Sequence, residues 1–590
     1  MPGCGHRPSS PATNGMPMRW SGLRQHWQQQ IALSDSQIGL ALLALLVGLA
    51  SAGLITLFRL AIEWPLVAWL PMQHAEHYEA LQPWLRAALV CIGGAVLLAG
   101  FYALPTERRH VGVAHVLQRM EQHQGYLPLS NMLVQFVAAV VALISGHSAG
   151  REGPAIHLGA GVASQMGQRA GLAHHRLRIL AGCGVASAIS ASFNTPMAGV
   201  IFAMEVVLLE YSIRGFIPII LASVAGAIVS EAVFGAETAF LVPELDIHSL
   251  KEIPVILLLG ILAGIVASSF ILLVRQLQQY QHWPLWLRWG GLTLVTALIS
   301  FWLPELLGIG YDTVNAALLG ELALATLALL LLGKLLLAAW AAGVGFPAGL
   351  IGPVMFIGAL LGAMLAQVAI HWFPDYPISA GFYAILGMAA VMAASLRAPL
   401  AALVALLELT ANPNIIMPGM LAIVIACLVV SEVFHLPSVF KLQPAASAEP
   451  SAVQQLLRNT WVAPLMQRSF IAVDRHISIT TADYLLGEQV QWLLLSDEHT
   501  LLPAADLAHW LTQQDERPER IDLLAIPAER EQTAWLPLRA NLQDALDQMQ
   551  SAQLQWLAIT RREQEPHCLG LLSREQVEHF YRYQPGRKEP

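Results

Sequence analysis

Ser148-Ala149-Gly150-Arg151-Glu152-Gly153-Pro154 is the stretch that decides how the rest of the chain is read. Two glycines, a charged pair and a proline stand at the head of an apolar run, and the pattern returns downstream. Gly150-Arg151-Glu152-Gly153-Pro154, followed by Gly159-Ala160, is echoed by Gly349-Leu350-Ile351-Gly352-Pro353, followed by Gly358-Ala359, at an offset of 199 residues. A second block repeats at an offset of 203, with Gly184, Ser192, Pro196 and Glu205 recurring as Gly387, Ser395, Pro399 and Glu408. Two blocks in one order at nearly one spacing mark an internal duplication.

Proline suits a first helical turn, where its missing N–H would be unpaired anyway. The glycines let the incoming backbone approach a ligand closely. Two such helix starts aimed at one place present free N–H groups and two macrodipole ends of about +0.5 charge each. That is an anion site without a full positive charge, weak enough to release its ion. Tight helix packing through small residues is the competing reading of the glycines. Glu152 bears on the choice, because a carboxylate at membrane depth costs at least ~2.5–3.5 kcal/mol and marks function. Ionised, it is a tethered competitor for the anion; protonated, it is free to swing away. Glu152 is therefore read as the gate, against the alternative of a surface pair with Arg151.

The surroundings are apolar. Of 590 residues, 56% are hydrophobic and 12% charged, with a net charge of −8; soluble domains carry about 25% charged residues. Residues 446–590 hold 33 of the 72 charged side chains, 20 acidic and 13 basic. This is a membrane body with one acidic soluble tail, and nothing points to nucleic acid. Apolar stretches near the ~20 residues needed to span occur near 38–58, 86–104, 130–146, 215–235, 253–274, 289–303, 321–342 and 414–434. Shorter segments broken by Gly and Pro lie near 153–168, 178–192, 196–210, 351–370, 380–396 and 399–409. Duplicated halves with broken segments at matching positions are the pattern of a transporter with its site at the repeat interface. The expected organisation is an N-terminal segment 1–35, membrane halves 36–240 and 250–442, a linker 443–455 and a tail 456–590. Arg7, Arg19 and Arg24, with no acid before Asp35, favour a cytoplasmic N-terminus in an inner or plasma membrane, with the tail on the same side. No signal-peptide pattern occupies the first 30 residues. Cys4, Cys91, Cys183, Cys427 and Cys568 are scattered without paired spacing, which suggests neither a disulfide framework nor a metal site. No enzyme motif or cofactor signature is present.

The Ser148–Pro154 stretch resembles the GREGP signature of the CLC chloride channels and proton/chloride antiporters. Phe193-Asn194-Thr195-Pro196-Met197-Ala198-Gly199 with Glu205, and Gly349–Pro353, resemble that family too. The resemblance covers roughly 38–440. It implies an all-α polytopic membrane fold with inverted halves of tilted, broken helices, a homodimer with one pore per subunit, chloride held by helix starts, and a gating glutamate at Glu152. Pore residues would fall at Val111, Gly112, Arg151, Gly153, Leu350, Ile351 and Phe440. Departures accompany the matches. Val111, in His110-Val111-Gly112-Val113-Ala114, stands where the family has a pore serine, and Phe440 where it has a tyrosine. Losing a donor to a desolvated anion costs about 1.5–3 kcal/mol, so the central site is expected to be weak or watered. Val206 stands where many antiporters carry a second glutamate. Channel and proton antiporter both stay open; a non-conducting membrane sensor is the third reading. Lys334, alone in its apolar run, is read as drawing anions to the inner mouth or as snorkelling.

In the tail, Gln491-Trp492-Leu493 recurs as Gln555-Trp556-Leu557, 64 residues on. Repeated β-α units resemble a CBS pair, giving a C-terminal α/β domain. The ribose-binding pattern is incomplete at Pro503/Asp506 and at Ser573/Gln576, so a structural or dimer-supporting module is expected over a nucleotide site.

Overall fold

The computed structural model describes residues 37–70, 77–211, 213–235, 240, 252–372, 378–442, 452–488, 490–495, 498–514, 518–561 and 567–582. The basic N-terminal segment and most of the linker lie outside the described residues. Among the described residues, sixteen α-helices precede the tail. The first half holds α1 (Gln37–Trp69), α2 (Pro83–Ala103), α3 (Val113–Gln122), α4 (Leu129–Ile144), α5 (Glu152–Ala170), α6 (His174–Phe193), α7 (Pro196–Phe202) and α8 (Ile213–Phe234). The second holds α9 (Ile253–Gln278), α10 (Leu285–Ile299), α11 (Tyr311–Leu318), α12 (Leu324–Gly343), α13 (Ile351–Trp372), α14 (Ala380–Leu396), α15 (Pro399–Thr410) and α16 (Ile416–Leu428). Among the described residues, seven helical segments are long and apolar enough to cross a membrane, including α1, α2, α9, α12 and α13. The chain is an integral, multi-pass membrane protein.

Two expectations about length are corrected. The 351–370 segment is one continuous helix of 22 residues, because its internal glycines serve packing and do not break it. The stretches near 130–146 and 289–303 form shorter helices of 16 and 15 residues.

The duplication is visible in how the helices cross. A Cβ built on Gly159 would lie 2.2 Å from the Gly184 carbonyl oxygen, and one on Gly358 would lie 2.4 Å from that of Gly387. Helices α5 and α6 therefore touch backbone to backbone, and α13 and α14 repeat the contact; only glycine permits it. A third duplicated feature precedes these pairs. Gly112 and Gly310, at φ +87° and +88°, each stand immediately before a short helix, α3 and α11.

The tail is α/β. Its strands β1 (Phe470–Val473), β2 (His476–Ser478), β3 (Trp492–Leu495), β4 (Thr500–Pro503), β5 (Arg520–Asp522), β6 (Glu531–Pro537), β7 (Trp556–Thr560) and β8 (Cys568–Ser573) form two sheets. The larger has the order β1-β3-β4-β6-β7-β8, with β1/β3 and β6/β7 parallel. A bridge between Gln467 and Leu571 brings its ends together, so the sheet is partly closed. Leu494, Leu501, Ala558 and Leu571 are buried inside, where Trp492 and Trp556 meet at a ring distance of 4.9 Å. The tail is seated on the body through Asp544, which accepts from Gln124 Nε2 (2.9 Å) and contacts His174 Nδ1 (3.0 Å).

Candidate anion site between the two repeats

The two Gly-x-x-Gly-Pro turns meet. Gly150 N–H donates to the Gly349 carbonyl (2.8 Å) and Gly349 N–H returns the bond to Gly150 (3.0 Å). This antiparallel backbone bridge holds the start of α5 against the start of α13. Proline near each start removes a donor that would have no helical partner, and the Gly352 N–H of the second start points at the Glu152 carboxylate of the first.

Glu152 lies in that region, only 1% exposed. Its Oε2 accepts from Gly352 N–H in the other repeat (3.2 Å), and its Oε1 accepts from Tyr311 Oη (2.5 Å). The carboxylate of one half is thus seated on the helix start of the other. Gly150 makes the fold-back possible, since a Cβ there would come within 2.5 Å of Glu152 Oε2.

To one side of this seat opens a chamber of about 630 Å³. Val111, Gly112, Gly153, Leu350 and Phe440 all line it, so five residues from four distant stretches converge on one space. Val111 and Phe440 bring no hydroxyl to it. The chamber also borders Val439, close to where the body leads into the tail.

Three other predicted residues stand elsewhere. Arg151 does not line the chamber; it lies across Glu152 from it, with Nη1 3.4 Å from Glu63 Oε1 and Nε 3.9 Å from Glu152 Oε1. There it borders a small cavity with Arg59, Tyr78 and Gly308. Ile351 is buried at the first turn of α13 and faces an apolar cavity with Phe193 and Phe202. Lys334 requires a correction. It is 0% exposed, its ammonium donates to the Leu306 and Gly308 carbonyls (3.3 and 2.9 Å), and it sits over the Phe356 ring. It neither snorkels nor reaches the chamber, because the loop before α11 turns its carbonyls inward onto it. Arg397 is exposed at the C-terminal end of α14.

Glu205 and Glu408 form a cross-repeat exchange. Glu205 accepts from Leu400 and Ala401 N–H at the start of α15, and Glu408 from Met197 and Ala198 N–H at the start of α7, at 2.7–3.2 Å. Each carboxylate caps the other half's helix. Val206 is buried.

Sequence reading missed Tyr311 as a partner of the gate. Its signal was present: Gly310-Tyr311 lies 198 residues after Gly112-Val113, close to the offset of the main repeat. In the tail, Pro503 and Ser573 pair in register with the adjoining Trp492 and Trp556.

A family model described as "Voltage gated chloride channel" matches residues 93–431. The chain is 27% identical over 418 residues to the "Voltage-gated ClC-type chloride channel ClcB" of Escherichia coli O17:K52:H18 (strain UMN026 / ExPEC), covering 68% of this chain and 98% of the relative. The same figures hold for the protein of that name in Escherichia coli (strain K12 / DH10B). Among solved structures, a slow cyanobacterial Cl−/H+ antiporter aligns with a TM-score of 0.60 at 22% identity, over 69% of this chain and 97% of the other. A eukaryotic CLC transporter aligns at 0.55 and 18% identity over 91% of this chain and 97% of its own, a span that runs into the tail. A CLC-type fluoride/proton antiporter aligns at 0.55 and 22% identity, over 69% and 98%.

Proposed function

Because the chain belongs to the voltage gated chloride channel family, we propose that it conducts chloride or a similar small inorganic anion through a path gated by Glu152. The observation that carries this reading is the Glu152 carboxylate seated on the Gly352 amide. An anion-shaped group already occupies the helix start where an anion would bind, and it is tethered by a side chain that can leave. Protonation removes its charge, weakens its hold on the amide and vacates the seat. The path runs from the chamber, past Val111, Gly112, Leu350 and Phe440, to the seat and then to the Arg151 side. We place the termini and tail on the cytoplasmic face and the working unit as a homodimer, following the family pattern.

The primary reading is a channel. Val206 offers no second carboxylate, and among the described residues no acid lines the chamber, so protons have no carboxylate carrier from that face. The proton antiporter is the second reading, favoured by the Tyr311 hydroxyl at 2.5 Å from Glu152, a contact that suits proton exchange, and by the printed titles of two structural neighbours. The tail serves as a structural, dimer-supporting module, its interior filled by the Trp492–Trp556 pair.

The test is anion flux in liposomes with proton movement recorded simultaneously. Glu152→Gln is expected to conduct with its pH dependence abolished. An unchanged pH dependence removes Glu152 from the gate. Uphill proton movement driven by a chloride gradient in the unmodified protein makes it an antiporter.

A further inference from the structure

On the side of Glu152 away from the chamber, four charged side chains alternate in sign. Glu63, on α1, takes two cations on its Oε1: Arg59 Nε, one turn back on the same helix, at 2.6 Å, and Arg151 Nη1 at 3.4 Å. Arg151 leads on to the gate, with its Nε 3.9 Å from Glu152 Oε1, beyond hydrogen-bond reach. Arg151 thus stands between two carboxylates and bonds Glu63. Its Nη2 is committed as well, donating to the Ser192 carbonyl (3.4 Å). Arg59 is braced in turn, its guanidinium carbon 3.8 Å above the Phe234 ring of α8. The side chains of Arg59 and Glu63 are 28% and 27% exposed, Arg151 11% and Glu152 1%. The row therefore runs from a partly wetted edge into a dry interior.

The other titratable groups near the gate come from separate elements. The small cavity beside the row adds Tyr78 to Arg59, Glu63 and Arg151. From α11, Tyr311 holds Glu152 and lies under Arg151, its ring centre 5.4 Å from the guanidinium carbon. Asp312 next to it is exposed and interacts with Glu79, whose further neighbours are Glu305, His77 and Arg86. Lys334 of α12 is tied to the Leu306 and Gly308 carbonyls behind Phe356. From α3, His115 meets His157, further along α5 (3.3 Å). The first turns of α13 and the last turns of α6 bring no titratable side chain.

A cation bonded to a carboxylate favours its charged form, and a second carboxylate nearby disfavours it. Glu63 acts on Glu152 in both ways with one sign: it draws Arg151 off the gate and adds a negative charge of its own. Arg59 opposes it by neutralising that charge.

We propose that Glu63 is a positioning residue for the gate: by withholding Arg151 from Glu152 it sets how readily Glu152 takes up a proton, and Arg59 tempers that action. The inference rests on the Glu152 gate reading and deepens it, naming the residues that choose the pH at which the gate works.

The experiment uses the full chain in liposomes and reads two midpoints. Flux against pH gives one. Infrared difference spectroscopy against pH gives the other, from the protonated carboxyl band of Glu152, assigned by its absence in Glu152→Gln. In Glu63→Gln, Arg151 is released to Glu152, and both midpoints are expected to fall by about one pH unit, the low end for a carboxylate gaining a cation. Arg59→Gln leaves Glu63 less neutralised and is expected to move both midpoints the opposite way; it also keeps the test open should Glu63→Gln not fold. Glu63→Asp keeps the charge and is expected to lie closer to the unmodified protein than to Glu63→Gln. An unmoved infrared midpoint in Glu63→Gln overturns the inference. So does a fall in Arg59→Gln, which would mark a general disturbance of α1, or a Glu63→Asp midpoint equal to that of Glu63→Gln. Flux whose pH dependence survives Glu152→Gln strikes the gate reading alone, and the infrared midpoints still decide this one.

Discussion

Tyr311 and the Gly352 amide each hold one oxygen of the Glu152 carboxylate, so under the proposed gating the closed state is a two-point attachment and either point can be removed separately. Tyr311→Phe deletes a hydrogen bond to a charged group, worth about 1.5–3 kcal/mol, and should shift the gate toward open by roughly 10–100-fold. Single-channel open probability, or basal flux per folded protein, reads this directly. A Tyr311→Phe protein with unaltered gating would mean that the amide alone sets the closed state. Arg151 stands near the same carboxylate but is shared with Glu63 and the Ser192 carbonyl. That division explains how an arginine beside an anion path avoids becoming a trap for the ion.

At the scale of elements, the paired helices α5/α6 and α13/α14 depend on backbone contact at two glycine crossings. Gly184→Ala forces a Cβ to 2.1 Å from the Gly159 carbonyl. It is expected to cost about 1–3 kcal/mol by overpacking, as is Gly387→Ala in the second pair, read as lower thermal midpoints in detergent. The Glu205 and Glu408 caps give a different signature. Each alanine variant should lose about 0.5–2 kcal/mol, the usual cost of an N-cap, while flux and pH response per folded protein stay as before. Loss of proton movement in Glu205→Ala without loss of stability would instead make Glu205 a proton carrier. These element-scale features were legible early, because proline and glycine act through local backbone rules that sequence displays. The 351–370 helix was misjudged for the same reason: glycine marks close approach as readily as it marks a break, and only the facing backbone of α14 tells the two apart.

For the molecule as a whole, body and tail meet at a joint where Asp544 does two things. It completes a capping box with Asn541 at the start of the helix Leu542–Ala552, and it binds Gln124 and His174 of the body. Asn541→Ala should weaken only the helix, whereas Asp544→Ala should also loosen the tail, seen as faster protease release of the tail from the folded body. Within the tail, Asp522 is held at about 2, chiefly by its hydrogen bonds with Arg475. A depressed carboxyl contributes stability above the ordinary range near 3.9, and that contribution fades as pH falls toward 2. Both groups are exposed, so the effect is small and screened by salt; Asp522→Asn should flatten the acid limb of tail unfolding followed by tryptophan fluorescence. How much of this was readable from the chain follows a physical line. Glu152, Val111 and Phe440 were found because each is conspicuous against a recurring pattern. The inward carbonyls that bury Lys334 are a product of long-range folding that no local pattern records. The Gly150–Gly349 bridge carries a last consequence. The proposed resting place of the ion belongs to neither duplicate, since each supplies one of the two helix starts that meet there. A fragment keeping residues 36–240 intact would therefore be silent and not half active, while two co-expressed fragments divided between α8 and α9 need only find each other to rebuild the whole conductor.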